Sequence, residues 1–272
     1  MSKYNKENTL SFQLLVSAMH QTDQSLVQKM QVDSDAIIIN QCKTNEYRDF
    51  TFNGHKIRIF SFNETGVGIS RNSALMRANA DICLFADEDI RYYKDYSRIV
   101  LDEFISNPKA DVIIFNIDST DQQRVEYRNL KKRRLNILNS LRYGAARIAV
   151  RTNRIRIKNI YFSTLFGGGS KYSAGEDTLF IVDCLKKGLR IFSSNKTIGL
   201  HESHKSTWFE GYTNKYFYDK GALFCCMANN WAYFIGLYYC LKHYKEYSRT
   251  RNFSNAYRFI CKGIKDMKRD TK

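Results

Sequence analysis

Two acidic segments and a pair of histidines carry side chains whose types and spacing suit chemistry. The first is Asp87-Glu88-Asp89, directly after the apolar run Ile82–Ala86. Three consecutive carboxylates repel one another, and a divalent cation relieves that repulsion. Hard cations take oxygen ligands, and magnesium or manganese is commonly held by one or two carboxylates plus substrate phosphates. An acidic turn capping the next helix is the structural alternative. The second is Gly175-Glu176-Asp177, which follows the glycine-rich stretch FGGGSKYSA and opens a helix. Acids in a first helical turn also satisfy the helix dipole. Glu176, however, ends a run of 49 residues, Tyr127 to Gly175, that holds twelve Lys/Arg and no Asp or Glu. A carboxylate in such surroundings stays ionised at neutral pH, as a base that accepts a proton from a hydroxyl must. The histidines are His201 and His204, in IGLHESHKSTW beside Trp208. Imidazole ligates manganese or zinc and donates hydrogen bonds to phosphate.

These residues need a scaffold, and the first 116 residues supply an alternating one. Apolar runs at Leu10–Met19, Ala36–Ile39, Lys56–Phe60, Ile82–Ala86 and Val112–Asn116 read as strands. Helical stretches at Ser25–Met30, Ser70–Ala80 and Tyr96–Ile105 lie between them, with Ser70 as an N-cap. The alternation predicts an α/β fold, a mostly parallel sheet with helices on both faces and ligands at the carboxyl ends of its strands. Asp87 to Asp89 fall at such an end. Further on, Ile155–Phe162, Arg190–Phe192 and Thr197–Leu200 read as strands and Glu176–Lys187 as a helix. Residues 166–174 read as a mobile loop. Residues 1–221 form one expected domain, and 222–272 a basic, aromatic-rich helical extension.

The 272 residues carry 43 Lys/Arg against 27 Asp/Glu, a net charge of +16. Such a surface attracts polyanions, whether nucleic acid, anionic lipid or phosphorylated ligands. The composition is globular, with 43% hydrophobic residues and a single proline, which excludes disordered and collagen-like classes. Seven cysteines form no CxxC pair, so no zinc site or disulfide framework is indicated and a reducing cytoplasmic compartment is expected. The segment Ala222–Leu241 is apolar and aromatic but interrupted by Asn229 and Asn230. Followed by ten Lys/Arg and three acids between Lys242 and Lys272, it suits an interfacial helix on the anionic inner face of a membrane. Packed C-terminal helices or a homodimer contact are the structural alternatives.

Together these segments resemble the family 2 glycosyltransferases of GT-A fold, and most closely bacterial enzymes that build surface polysaccharides. The resemblance rests on VSAM at Val16–Met19, GVGISRNSAL at Gly66–Leu75, ADICLFADED at Ala80–Asp89, GEDTLF at Gly175–Phe180 and STWFEGYTNKYFYDKGALF at Ser206–Phe224. It implies an inverting enzyme with a nucleotide-sugar donor, a UDP-sugar first of all, and a saccharide or polyprenyl-linked acceptor. Asp87 and Asp89 match the DxD motif, and Asp89 is the better candidate for contact with Mn2+ or Mg2+. Asp177 matches the catalytic base, with Glu176 shaping the acceptor site. Arg71 and Asn72 match the pair beside the nucleotide, with Ser17, Met19, His20, Glu88 and Trp208 also placed at the donor. His201 resembles a histidine that joins the metal or diphosphate in some relatives, with His204 second. Where relatives carry acids after the second strand, this chain has Asn40 and Gln41, whose amides offer both donor and acceptor to a uracil edge.

The competing class is a basic nucleic-acid-binding protein without catalysis. It accounts for the charge but not for carboxylates at strand ends, which repel phosphates. No nucleic-acid partner is therefore expected. A dinucleotide site at Gly66-Val67-Gly68 is weaker, because Arg71 stands where the third glycine belongs.

Overall fold

The computed structural model describes residues 10–120, 127–137, 139–202 and 211–270. They divide into two compact units. One comprises Met1–Thr65, Ile69–Tyr161 and Asp183–His204, and the other Gly66–Gly68, Phe162–Val182 and Lys205–Lys272.

In chain order the elements are β1 (Phe12–Met19), α1 (Ser25–Lys29), β2 (Ala36–Gln41), β3 (Glu46–Phe52), β4 (His55–Phe62), α2 (Val67–Arg77) and β5 (Ile82–Asp87). Next come β6 (Ile90–Tyr92), α3 (Tyr96–Ser106), β7 (Val112–Ser119), β8 (Arg133–Arg134), β9 (Ile148–Arg151) and α4 (Thr152–Ile157). The chain then forms α5 (Glu176–Lys186), β10 (Ile191–His201), α6 (Asn214–Ala228), α7 (Ala232–Lys242), α8 (Tyr244–Tyr247) and α9 (Phe253–Asp270).

The first unit is built on a sheet of order β3-β4-β2-β1-β5-β9-β7-β10-β6, with β8 paired to β10. Strands β4, β2, β1 and β5 run parallel. Their inner residues, such as Leu14–Val16, Ile37–Ile39 and Cys83–Phe85, are buried on both faces, as continuous apolar runs require. Leu26 and Val27 of α1 and Tyr96, Val100 and Phe104 of α3 complete the same core. The α/β fold expected from the sequence is therefore present.

The second unit is mainly helical. Phe217, Ala222 and Phe224 of α6 share a core with Ile260 and Ile264 of α9 and with Tyr247. Helices α6 and α9 touch along their backbones. A Cβ on Gly221 would lie 2.1 Å from the Ile260 carbonyl oxygen, and one on Gly263 would lie 2.1 Å from that of Tyr218. Thr213 caps α6 by accepting from the Tyr216 N–H, and the helix runs unbroken through the expected 221/222 boundary. It ends at Asn229, and a 3-10 turn, Asn229–Trp231, precedes α7. The apolar segment is thus two packed helices rather than one. Among the described residues no helix is long and apolar enough to cross a membrane.

Four local expectations are corrected. Helix α2 begins at Val67, so Ser70 lies inside it and donates to the Ser17 hydroxyl at 2.9 Å instead of capping. Residues 152–157 are helix, not strand, because Arg154 turns to Asp111 and Arg156 donates to the Leu75 carbonyl, each at 2.9 Å. The two short strands at 190–200 are one strand, β10, with irregular register between Ser193 and Gly199. Residues 166–174 are tied down. Phe166 and Tyr172 are buried and stacked 4.7 Å apart, and Gly167 N–H donates to the Tyr172 carbonyl at 2.9 Å.

Candidate active site

In the first unit the parallel strands end side by side. Ser17 is in register with Asp87 of β5 and with Ile39 of β2, Met19 with Gln41, and Asn40 with Ser61 of β4. The apolar interiors fix the strands, so the polar residues appear only where the strands leave the core.

Asp87 ends β5 and accepts from the Arg71 guanidinium at 2.8 Å. The pair is unequal, with 5% of the Arg71 side chain exposed against 36% of Asp87. Arg71 and Ser70 thereby bind α2 to the ends of β5 and β1. Asn72, the next residue of α2, is partly buried.

Glu88 turns back toward β1. Its carboxylate accepts from the Met19 N–H at 3.1 Å and from the Gln21 side-chain amide at 2.7 Å. Burial pushes the Glu88 carboxyl upward against those two hydrogen bonds, and neighbouring Asp89 adds to the rise. Asn40 is 1% exposed. Its amide accepts from the Gln21 N–H at 2.8 Å and donates to the Gln21 carbonyl at 2.9 Å and to Ser61 at 3.1 Å. The Asn40 amide is thus engaged by the chain itself and holds the turn after β1. Within that turn His20 adopts a left-handed φ of 56°, and its N–H donates to the buried Gln41 carbonyl at 3.0 Å.

Asp89 and His201 are far apart in the chain but meet through one strand pair. Strand β6 follows Asp89 directly and runs antiparallel to β10, placing His201 opposite Ile90. Glu202 N–H donates to the Asp89 carbonyl at 2.9 Å. As a result His201 Nε2 lies 3.1 Å from Asp89 Oδ2, with 12% and 36% of the two side chains exposed. His201 thus adjoins the acidic triplet. His204 and Trp208 lie outside the described residues.

One carboxylate oxygen beside one imidazole nitrogen suits manganese or magnesium that draws its remaining oxygens from a diphosphate. Among the described residues no group of three or more His, Cys, Asp or Glu forms a closed metal cage. Tyr92, also on β6, is fully buried, and burial drives its hydroxyl far above the ordinary tyrosine range, with Asp87 and Asp89 adding to the rise.

The second unit holds the other acidic pair. Glu176 is buried and accepts from the Gly175 N–H at 3.2 Å. Asp177, partly exposed in the first turn of α5, accepts from the Thr178 N–H at 2.6 Å. Burial lowers the Lys220 ammonium, while the charges of Asp177 and Asp219 oppose that fall. Asp219 is itself held by Lys215 at 2.6 Å and by the Ser173 hydroxyl at 2.8 Å.

Sequence reasoning singled out neither Gln21, which bridges Glu88 and β1, nor Lys220. Gln21 follows a strand end, and Lys220 directly precedes Gly221 in the middle of α6. Both positions offer a signal only once their neighbours are known.

The sequence profile of glycosyl transferase family 2 matches residues 18–166. The chain belongs to that family. Solved structures share its fold. S. aureus TarS residues 1–349 in complex with UDP-GlcNAc aligns with a TM-score of 0.66 at 15% identity, covering 95% of this chain and 80% of that 1–349 chain. The UDP complex of the same protein aligns with a TM-score of 0.60 at 16% identity, covering 89% and 76%. No curated protein matches the sequence. This glycosyltransferase therefore carries its family match over the unit that holds Arg71, Asp87 and Asp89.

Proposed function

We propose that this family 2 member transfers a sugar from a nucleoside diphosphate sugar, a UDP-sugar, to a hydroxyl of a saccharide or polyprenyl-linked acceptor, with inversion, in the synthesis of a bacterial surface polysaccharide. The observation that carries the reading is the convergence of Arg71, Asp87, Asp89 and His201 at the carboxyl ends of parallel strands in a member of this family. The TarS complexes with UDP-GlcNAc and UDP support a uridine donor by likeness of fold.

Asp89 and His201 hold Mn2+ or Mg2+ in this reading, and a bound cation offsets the charge that grows on the leaving diphosphate. Arg71 keeps the Asp87 carboxylate fixed. The Asn40–Gln21 brace and Glu88 fix the turn after β1, against which the nucleoside lies. Asp177 takes the proton of the acceptor hydroxyl as that oxygen attacks the anomeric carbon from the side opposite the diphosphate. The glycosidic bond forms as the sugar–phosphate bond breaks, the bonding pair leaves with the diphosphate, and no covalent enzyme intermediate is required.

A thermal-shift panel of nucleoside diphosphates, with and without Mn2+, tests the donor site. The expected result is stabilisation by UDP that requires the cation and disappears in Asp89→Ala. Absence of a shift with every nucleotide, with and without the cation, would overturn the reading.

A further inference from the structure

Helix α7 buries its small residues and exposes its large ones. Ala232, Gly236 and Cys240 face inward at four-residue spacing. On the other side Trp231, Phe234, Leu237, Tyr238 and Leu241 are 67%, 66%, 37%, 63% and 61% exposed. At about 100° per residue these five positions fall within an arc of about 120°, so they form one face. Trp231 and Phe234 extend it together, with ring centres 5.7 Å apart. A contiguous apolar face of this kind marks a place where something other than water sits.

Charge identifies what that is. The Lys242 ammonium lies 5.8 Å from the centre of the Tyr238 ring, at the edge of the apolar face, and Lys245 follows in α8. The three acids of residues 242–272 are each occupied within the unit. Glu246 accepts from Tyr212 at 2.7 Å and lies 2.9 Å from His243 Nδ1. Asp266 accepts from Tyr218 at 3.1 Å, and Asp270 lies 3.1 Å from Lys171. Ten Lys/Arg in the same segment are left in clear excess. Helix α9 adds exposed Arg258, Lys262, Lys265 and Arg269 opposite its buried Ile260, Ile264 and Met267. Aromatic rings with polar tips, aliphatic side chains and flanking cations are the composition of a face that lies in the headgroup region of an anionic bilayer.

We propose that the Trp231–Leu241 face docks this protein on an anionic membrane surface, lying on the bilayer rather than crossing it. A second copy of the chain is the less suitable occupant, because it would bring Lys242 and Lys245 of both copies to one interface. The inference stands apart from the transfer chemistry.

The test is flotation of the full chain with vesicles of phosphatidylcholine alone and with roughly one third phosphatidylglycerol. The expected result is binding to the anionic vesicles at least roughly tenfold stronger than to the neutral ones, weakening with salt. Phe234→Glu with Tyr238→Glu should reduce that binding at least roughly tenfold while the thermal melt is kept. Trp231→Gln, outside the helix proper, is a second variant expected to act in the same direction. Lys242→Gln with Lys245→Gln should lower binding to anionic vesicles only. Absence of vesicle binding would overturn the proposal, as would binding unchanged by the apolar-face variants, which would reduce it to net charge. A dimer in light scattering that Phe234→Glu with Tyr238→Glu converts to monomer would also overturn it, by assigning the face to a second copy.

Discussion

The Arg71–Asp87 pair makes an unequal prediction. Only 5% of the Arg71 side chain is exposed, against 36% of Asp87. Replacing Arg71 by Met deletes the buried cation together with its desolvation cost, and leaves a carboxylate that water already reaches. The loss is then close to that of one charge-assisted hydrogen bond, about 1–2 kcal/mol. Replacing Asp87 by Ala removes the carboxylate from a guanidinium that water scarcely reaches. Breaking a buried pair from that side costs about 3 kcal/mol or more. Asp87→Ala should therefore be more destabilising than Arg71→Met by roughly 1–2 kcal/mol, and the double variant should cost no more than Arg71→Met, falling short of the sum by about 3 kcal/mol, the cost of the broken pair. Urea unfolding followed by circular dichroism measures all three. If Arg71→Met proves as costly as Asp87→Ala or more so, the assignment of the burial cost to the arginine is wrong.

Three further outcomes follow from other contacts. Because burial raises the Glu88 carboxyl, the folded form keeps its proton to higher pH than the unfolded chain. The stability this gives is complete below the ordinary glutamic acid range and is lost as pH rises through the raised value. Wild type should thus lose stability relative to Glu88→Gln as pH rises above the ordinary glutamic acid range, and parallel stability curves for the two would contradict the burial argument. Asp177→Asn should lower transfer by about 10²–10⁴ while UDP still raises the melting temperature, and wild-type turnover in that variant would exclude Asp177 as the base. Gly263→Ala should destabilise by about 1–3 kcal/mol in urea despite the better helix propensity of alanine, since its Cβ would lie 2.1 Å from the Tyr218 carbonyl oxygen. A stabilised variant would mean that α6 and α9 separate freely.

The parallel strands were legible because their burial on both faces leaves unbroken apolar runs, as in Ala36–Ile39. Strand β3 was not, because its exposed polar alternation, EYRDFTF, lies at the sheet edge and depends on pairing with β4. The sequence Arg-Ile-Arg-Ile at 154–157 alternates like a strand, yet each arginine reaches a distant acceptor and a helix forms. Glycine content made residues 166–174 look loose, while Phe166 and Tyr172, which lock them, carried no local signal. The place of Asp87 and Asp89 at a strand end was readable from the apolar run before them. The meeting of His201 with Asp89, and the use of Asn40 to grip a turn, depend on strand register and on a backbone that sequence alone does not place.

Strand β10 advances six residues from Ser193 to Gly199 while its partner β7 advances three, from Ile114 to Ile117. Side chains alternate between faces along a strand, so the surplus length decides on which side the imidazole at position 201 emerges. The irregular stretch works as a spacer that sets the phase of His201. A variant that gained or lost one residue there would present a different side chain to the acidic triplet while leaving Asp87, Glu88 and Asp89 in place.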